Sequence, residues 1–331
     1  MTALAAAVLA AASSPSGAQA HHSASRTDTL SPQGVRVLGR LRWDEARYVV
    51  AGGETVRVSV SPAYASDPQA GQRWADFFAS LPHNSELALL DAYIAPLDEV
   101  QRICGGEVLG CYGSNHLVTM GESNDGVTAQ SVATHEYGHH IAQNRTNAPW
   151  LAIDWGTKRW ASVVGVCARQ LDGTAFPGAE DEHYFLNPGE AFAESYRVLV
   201  ETNGLGGAFE WPIADPSFAP DAAALAAVRA DVVDPWTSST VTTVHARFKG
   251  SARRWTSTLE TALDGDLSIR IDVPDNVSLV AEDGRTVLAR STWTSGGHKE
   301  IHYRICGARH VQVRVSRTRP LARFTLRITK P

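Results

Sequence analysis

His135-Glu136-Tyr137-Gly138-His139 lies inside a run, Val127 to Asn144, whose pattern is helical and which is entered through the turn-forming Asn124-Asp125-Gly126. On a helix, side chains four residues apart share one face, a turn apart. The imidazoles of His135 and His139 can then grip one zinc ion, while Glu136 points beside it, toward a water. A carboxylate so placed is the base that takes a proton from an attacking water. A shuffled chain of this composition would contain HExxH about 0.02 times, so chance explains it poorly. The bland alternative is a surface helix that happens to carry several His. Small residues upstream and the Gly inside the motif favour a packed helix instead.

Two His do not complete a catalytic zinc site; a third protein ligand is needed, with one position left open. The elongation HExxHxxGxxH is absent, since His139 is followed by His140-Ile141-Ala142-Gln143-Asn144-Arg145. The best source of the third ligand is Asn187-Pro188-Gly189-Glu190-Ala191-Phe192-Ala193-Glu194-Ser195-Tyr196. Here Asn187 reads as an N-cap, Pro188 as the first helical residue, and Glu190 and Glu194 share a face. Glu190 three places after the cap also fits a capping box. Two carboxylates one turn apart on an apolar face make sense if Glu190 binds zinc and Glu194 holds a ligating His by its free ring nitrogen. Swapped roles are the competing assignment. His140 points about 100° away from His139 and reads as a flanking hydrogen-bonding residue.

Together the two stretches resemble the gluzincin branch of zinc metallopeptidases, in which HExxH is followed by a Glu on a second helix. The pairing of His135-Glu136-Tyr137-Gly138-His139 with Glu190-Ala191-Phe192-Ala193-Glu194 is similar to the lethal-factor-like peptidases. The resemblance is carried by motifs alone, between about residue 115 and about residue 200. It implies a zincin-like fold, His135, His139 and Glu190 as zinc ligands, and Glu136 as base. It also implies a Tyr shortly before the ligand Glu, whose hydroxyl stabilises the oxyanion. Tyr184 stands at about that place, with His183 adjacent and Tyr196 beyond.

Around these motifs the composition sets bounds. The chain has 331 residues, 44% hydrophobic and 20% charged, with a net charge of −5. That length has room for two domains, and the mild, dispersed acidity excludes a nucleic-acid footprint. Nine Trp and eight Tyr argue against disorder. Leu4 to Ala12 is almost entirely Ala, Val and Leu, and Ala18-Gln19-Ala20 fits the small-x-small pattern of a cleaved export signal over residues 1–20. It lacks a basic residue before the apolar run. No later stretch reaches about 18 apolar residues, so no membrane anchor is expected. Residues 21–34 read as polar and loose, with His21 and His22 solvated, or as a short prosegment. Cys104 and Cys111 bracket a Gly-rich loop and make a good local disulfide, leaving Cys167 and Cys306 to join distant segments, as suits a secreted chain.

Strands are expected at Val35 to Trp43, Glu54 to Ser61, Leu87 to Ala95 and Leu117 to Met120. The last, read as an edge strand, would pair with an extended peptide. Helices are expected near Ala70 to Leu81, where Trp74, Phe77 and Phe78 mark a core face, and from Thr157 to Gln170. Past Asp234-Pro235-Trp236-Thr237-Ser238-Ser239-Thr240 come short alternating runs: Val241 to Phe248, Leu267 to Val273, Val277 to Ala281, Val287 to Ser291, Ile301 to Ile305, Val311 to Val315 and Phe324 to Ile328. Their spacing of about ten residues suggests a β-sandwich.

The resulting expectation is an α+β chain, with a zincin-like metallopeptidase domain over residues 21–235 and a small all-β accessory sandwich over residues 236–331. It is a secreted endopeptidase that holds one zinc ion and acts on protein or peptide. Two alternatives stand beside it. One is a zinc hydrolase acting on a non-peptide substrate. The other is a secreted binding or adhesive protein whose β-domain, with Trp255 and Trp293, is the functional part.

Overall fold

A computed structural model describes residues 28–331, apart from residues 42, 44, 206, 274–276, 285, 294–297 and 308. The export signal expected over residues 1–20, and His21 and His22, lie outside the described residues. From residue 28 onward the chain is not loose: Leu30 is buried in the core and Asp28 is buried beside it in sequence.

Val56 and Val58 alternate with polar neighbours and are both fully buried, which makes their run one face of a sheet. The strands are β1 (Glu45–Val49), β2 (Thr55–Val60), β3 (Asp91–Ala95), β4 (Gly110–Gly113) and β5 (His116–Met120), in the order β1-β2-β3-β5-β4. β2, β3 and β5 run parallel, with Ile94 opposite Thr119, while β1 and β4 are antiparallel flanks. The run Leu117 to Met120 is therefore interior, and the edge beside it is β4. Leu87 to Ala95 is strand only over β3; residues Ser85–Leu89 form a 3-10 turn that buries Leu87.

The expected strand Val35 to Trp43 is instead a helix, α1 (Pro32–Leu38). Ser31 caps it by accepting from the Gly34 N–H, Pro32 opens it, and its buried residues Gly34 and Leu38 stand at helical spacing. Helix α2 (Ala70–Ser80) buries Trp74 and Phe78, and α3 (Leu97–Cys104) follows β3. Helix α4 (Ala129–Gln143), capped by Thr128, packs on β4 and β5. A two-residue hairpin, β6 (Thr146–Asn147) and β7 (Trp150–Leu151), leads into α5 (Ala152–Trp155). The helix expected from Thr157 to Gln170 is two, α6 (Lys158–Val164) and α7 (Val166–Leu171), broken where Gly165 takes φ 75° and ψ 33°. Helix α8 (Pro188–Glu201) packs against α4, and α9 (Ala222–Val233) packs against α6 and α8.

The rest is β-structure: β8 (Thr240–Arg247), β9 (Arg254–Thr261), β10 (Gly265–Ile271), β11 (Val277–Asp283), β12 (Thr286–Arg290), β13 (Thr292–Trp293), β14 (Lys299–Ile305), β15 (Arg309–Arg317) and β16 (Arg323–Lys330). They form a sandwich-like pair of sheets, β13-β14-β10-β16-β8 and β12-β11-β15-β9. Leu267, Ile269 and Ile271 of one sheet and Val311, Val313 and Val315 of the other alternate inward and share one apolar cluster. Strands β9 and β13 come in addition to the seven runs read from sequence. Trp255 packs edge-on to Phe324, with ring centroids 5.3 Å apart; the side chain of Trp293 lies outside what is described. Both expected disulfides, Cys104–Cys111 and Cys167–Cys306, are formed. Among the described residues no helix is long and apolar enough to cross a membrane.

Candidate metal centre

Helix α4 is buried along nearly its whole inner length, from Ala133 to Ala142. His135 and His139 therefore leave it on one buried face, and their Nε2 atoms lie 3.2 Å apart. Helix α8 crosses close by because Gly138 has no Cβ: one built there would meet the Ala193 backbone at 2.6 Å. At the start of α8 the Asn187 side chain accepts from the Gly189 N–H, and the Asn187 N–H donates to the Tyr184 carbonyl oxygen. Glu190 is thus not drawn back to the cap. Its Oε2 lies 3.4 Å from the Nε2 of both His135 and His139.

A fourth group, outside the ligand set expected from sequence, closes the cluster. Asp28 Oδ2 is 3.5 Å from His135 Nε2 and 3.8 Å from His139 Nε2. It arrives through backbone pairing with the edge strand. The Tyr112 N–H donates to the Asp28 carbonyl oxygen, the Leu30 N–H donates to that of Tyr112, both at 2.8 Å, and Thr29 bridges Tyr112 in parallel. The Thr29 hydroxyl donates to Glu180 Oε1 at 2.8 Å. Nothing within Thr27-Asp28-Thr29 marks this aspartate in sequence, because its place is set by a distant strand.

Asp28, His135, His139 and Glu190 are all buried, and each offers one ligand atom within 4.8 Å of the others. Donors about 2.0–2.1 Å from a tetrahedral ion stand about 3.4 Å from one another. The spacings between the two imidazoles and between each imidazole and each carboxylate run from 3.2 to 3.8 Å, so the described residues fit such an ion and could hold one.

Comparison with protein-family models and with curated proteins finds no match. Among solved structures the chain is similar to the pre-peptidase C-terminal domain of a collagenase from Bacillus anthracis, at 16% identity and a TM-score of 0.22, over 26% of this chain and 85% of that one. A likeness of that size carries no argument about this chain.

Around the cluster the remaining candidates separate. Glu194 Oε2 accepts from His135 Nδ1 at 3.0 Å, and Arg197 grips the same carboxylate at 3.0 and 2.6 Å. Burial opposes the charge on Glu194, but His135 and Arg197 hold its carboxyl below the usual range. With Nδ1 so engaged, His135 presents Nε2 to the cluster. The Tyr184 hydroxyl lies 2.8 Å from Asp28 Oδ2 and 3.0 Å from Glu190 Oε2, with one proton to donate. Burial, and then the charges of Asp28 and Glu190, keep that phenol protonated. The two rivals point elsewhere: Tyr196 donates to the Pro82 carbonyl oxygen, and the His183 ring packs on Phe176.

Glu136 is buried, and its Oε2 has no hydrogen-bond partner among the described residues. Burial, and then the charge of Asp28, push its carboxyl well above the ordinary range. His139 is driven the other way from a simple buried imidazole. Burial would lower it, but Glu190 and Asp28 raise it to about 10, so a metal entering this site displaces a proton.

Proposed function

We propose that this chain is a secreted zinc-dependent endopeptidase of the gluzincin type. Residues 21–235 form its zincin-like metallopeptidase domain and residues 236–331 an accessory sandwich. The observation that carries the reading is the spacing of ligand atoms on α4 and α8, which suits a tetrahedral ion, with the unpartnered Oε2 of Glu136 one residue from His135. Two disulfides accord with an oxidising compartment.

His135, His139 and Glu190 would hold the zinc, which when bound supplies Lewis acidity that polarises a carbonyl and acidifies water. The chain's own groups do the rest. Glu136 takes the proton of the attacking water and delivers it to the leaving amine. Tyr184, protonated and facing Glu190, donates to the oxygen on which negative charge develops. Glu194, clamped by Arg197, keeps His135 in one tautomer and one orientation.

Metal content and peptide turnover of three proteins test this. Wild type should carry about one zinc per chain, Glu190→Ala should lose it, and Glu136→Gln should retain it while turnover falls by about 10²–10⁴. Full zinc in Glu190→Ala, or substantial turnover in metal-replete Glu136→Gln, would sink the assignment.

A further inference from the structure

A catalytic zinc site keeps one position free of protein ligands, and here that position has an occupant. Asp28 Oδ2 lies beside both imidazole Nε2 atoms and 2.8 Å from the Tyr184 hydroxyl. Those are the groups that a scissile carbonyl oxygen has to reach in the reaction proposed above. The segment carrying Asp28 also takes the outer backbone edge of β4 at Tyr112, the edge that an extended peptide would use for strand addition. One short stretch of chain therefore covers the ligand position, the oxyanion donor and the docking edge together.

We propose that Asp28–Leu30 is an inhibitory strap, and that wild type turns substrate over only through the minor fraction of molecules in which the strap is withdrawn. The inference rests on the peptidase reading. Its competitor is that Asp28 is a permanent fourth ligand in a closed, structural metal site. Two features favour the strap. His135, His139 and Glu190 stand on helices of 15 and 14 residues, packed against each other. Asp28 stands on no helix: besides the Tyr184 hydroxyl and the two imidazoles at its carboxylate, its segment is held by two backbone hydrogen bonds with Tyr112, the Thr29 hydroxyl on Glu180 and the burial of Leu30. Glu136 is the second feature. A buried carboxylate oxygen without a partner is costly, and a closed structural site has no use for it. A site that opens to admit water and substrate does.

The experiment uses the full chain loaded with cobalt(II), whose visible absorption reports its ligands, and acetohydroxamate as a probe that needs an open metal position. Wild type is compared with Asp28→Ala and with Asp28→Asn, which preserves side-chain size and guards against loss of the fold. The expected result is about one cobalt per chain in all three. Acetohydroxamate should leave the wild-type spectrum unmoved, and should shift that of both variants with at least about tenfold tighter binding. Peptide turnover should rise in parallel. Loss of cobalt from the variants would show Asp28 to be a standing ligand, and equal probe affinity in all three would show that it blocks nothing. Either result overturns the strap while leaving the metal centre intact. Absence of cobalt from wild type overturns the metal reading itself, and the strap with it, so the two failures are distinct.

Discussion

His140 follows His139 directly, yet the pitch of α4 turns it away from the cluster and into the core. Its Nε2–H donates to the Glu86 carbonyl oxygen at 2.8 Å, and its Nδ1 accepts from the Tyr112 hydroxyl at 3.1 Å. Burial pushes its pKa down to about 4, so the folded ring is neutral at pH 7. The unfolded ring takes up a proton near pH 6.5 and the folded one only near pH 4. Stability contributed by His140 is therefore complete above about pH 6.5 and is lost progressively as the pH falls toward about 4, by about 3 kcal/mol in all. His140→Gln should flatten that part of the curve, as urea midpoints taken at pH 7 and pH 4.5 would show. At this scale the site was half legible. His135, Glu136 and His139 are local to one helix, and Glu190 and Glu194 to another, so spacing alone exposes them. Asp28 reaches the same cluster only through pairing with Tyr112, a contact across the fold that spacing cannot encode.

Between elements, the centre depends on how closely α4 and α8 approach. A Cβ on residue 138 would meet the Ala193 Cα at 2.6 Å and its carbonyl oxygen at 2.9 Å, both backbone atoms that cannot swing aside. Gly138→Ala should therefore part the helices, costing about 1–3 kcal/mol, and carry Glu190 away from the two imidazoles. A lowered urea midpoint together with weaker metal binding would show both effects; an unchanged metal affinity would mean that the cluster does not depend on that approach. Elements with strong periodicity were readable: α2 from Trp74 and Phe78, α4 from its own motif, and most of the sandwich from strict alternation. The failures have physical causes. In α1, Val35 and Val37 alternate around Arg36 and mimic a strand, while the capping Ser31 and leading Pro32 mark a helix. In β9 only Trp255 and Leu259 are apolar enough to show, so its alternation is faint. The break between α6 and α7 rests on a single left-handed glycine.

At the scale of the molecule, the apolar side chains of the described residues gather in two clusters, one within residues 30–232 and one within residues 248–328. Polar contacts join the parts that hold them. The Arg304 guanidinium lies over the Trp150 ring, 5.3 Å from its centroid. The Asp264 N–H donates to the Ser162 hydroxyl at 2.9 Å. The covalent tie is Cys167–Cys306, with a sequence separation of 139. Closing a loop of that length restricts the unfolded chain by about 5 kcal/mol in the chain-entropy picture. Replacing both cysteines with Ser should lower the denaturant midpoint accordingly, and a shift near zero would mean that the noncovalent contacts alone hold the two parts together. The same bridge decides what a backbone cut can release. Leu205, 89% exposed just beyond α8, lies between the two bridged cysteines. A chain nicked there keeps its full mass, both fragments hanging from one sulfur–sulfur link, and comes apart only when a reductant reaches it.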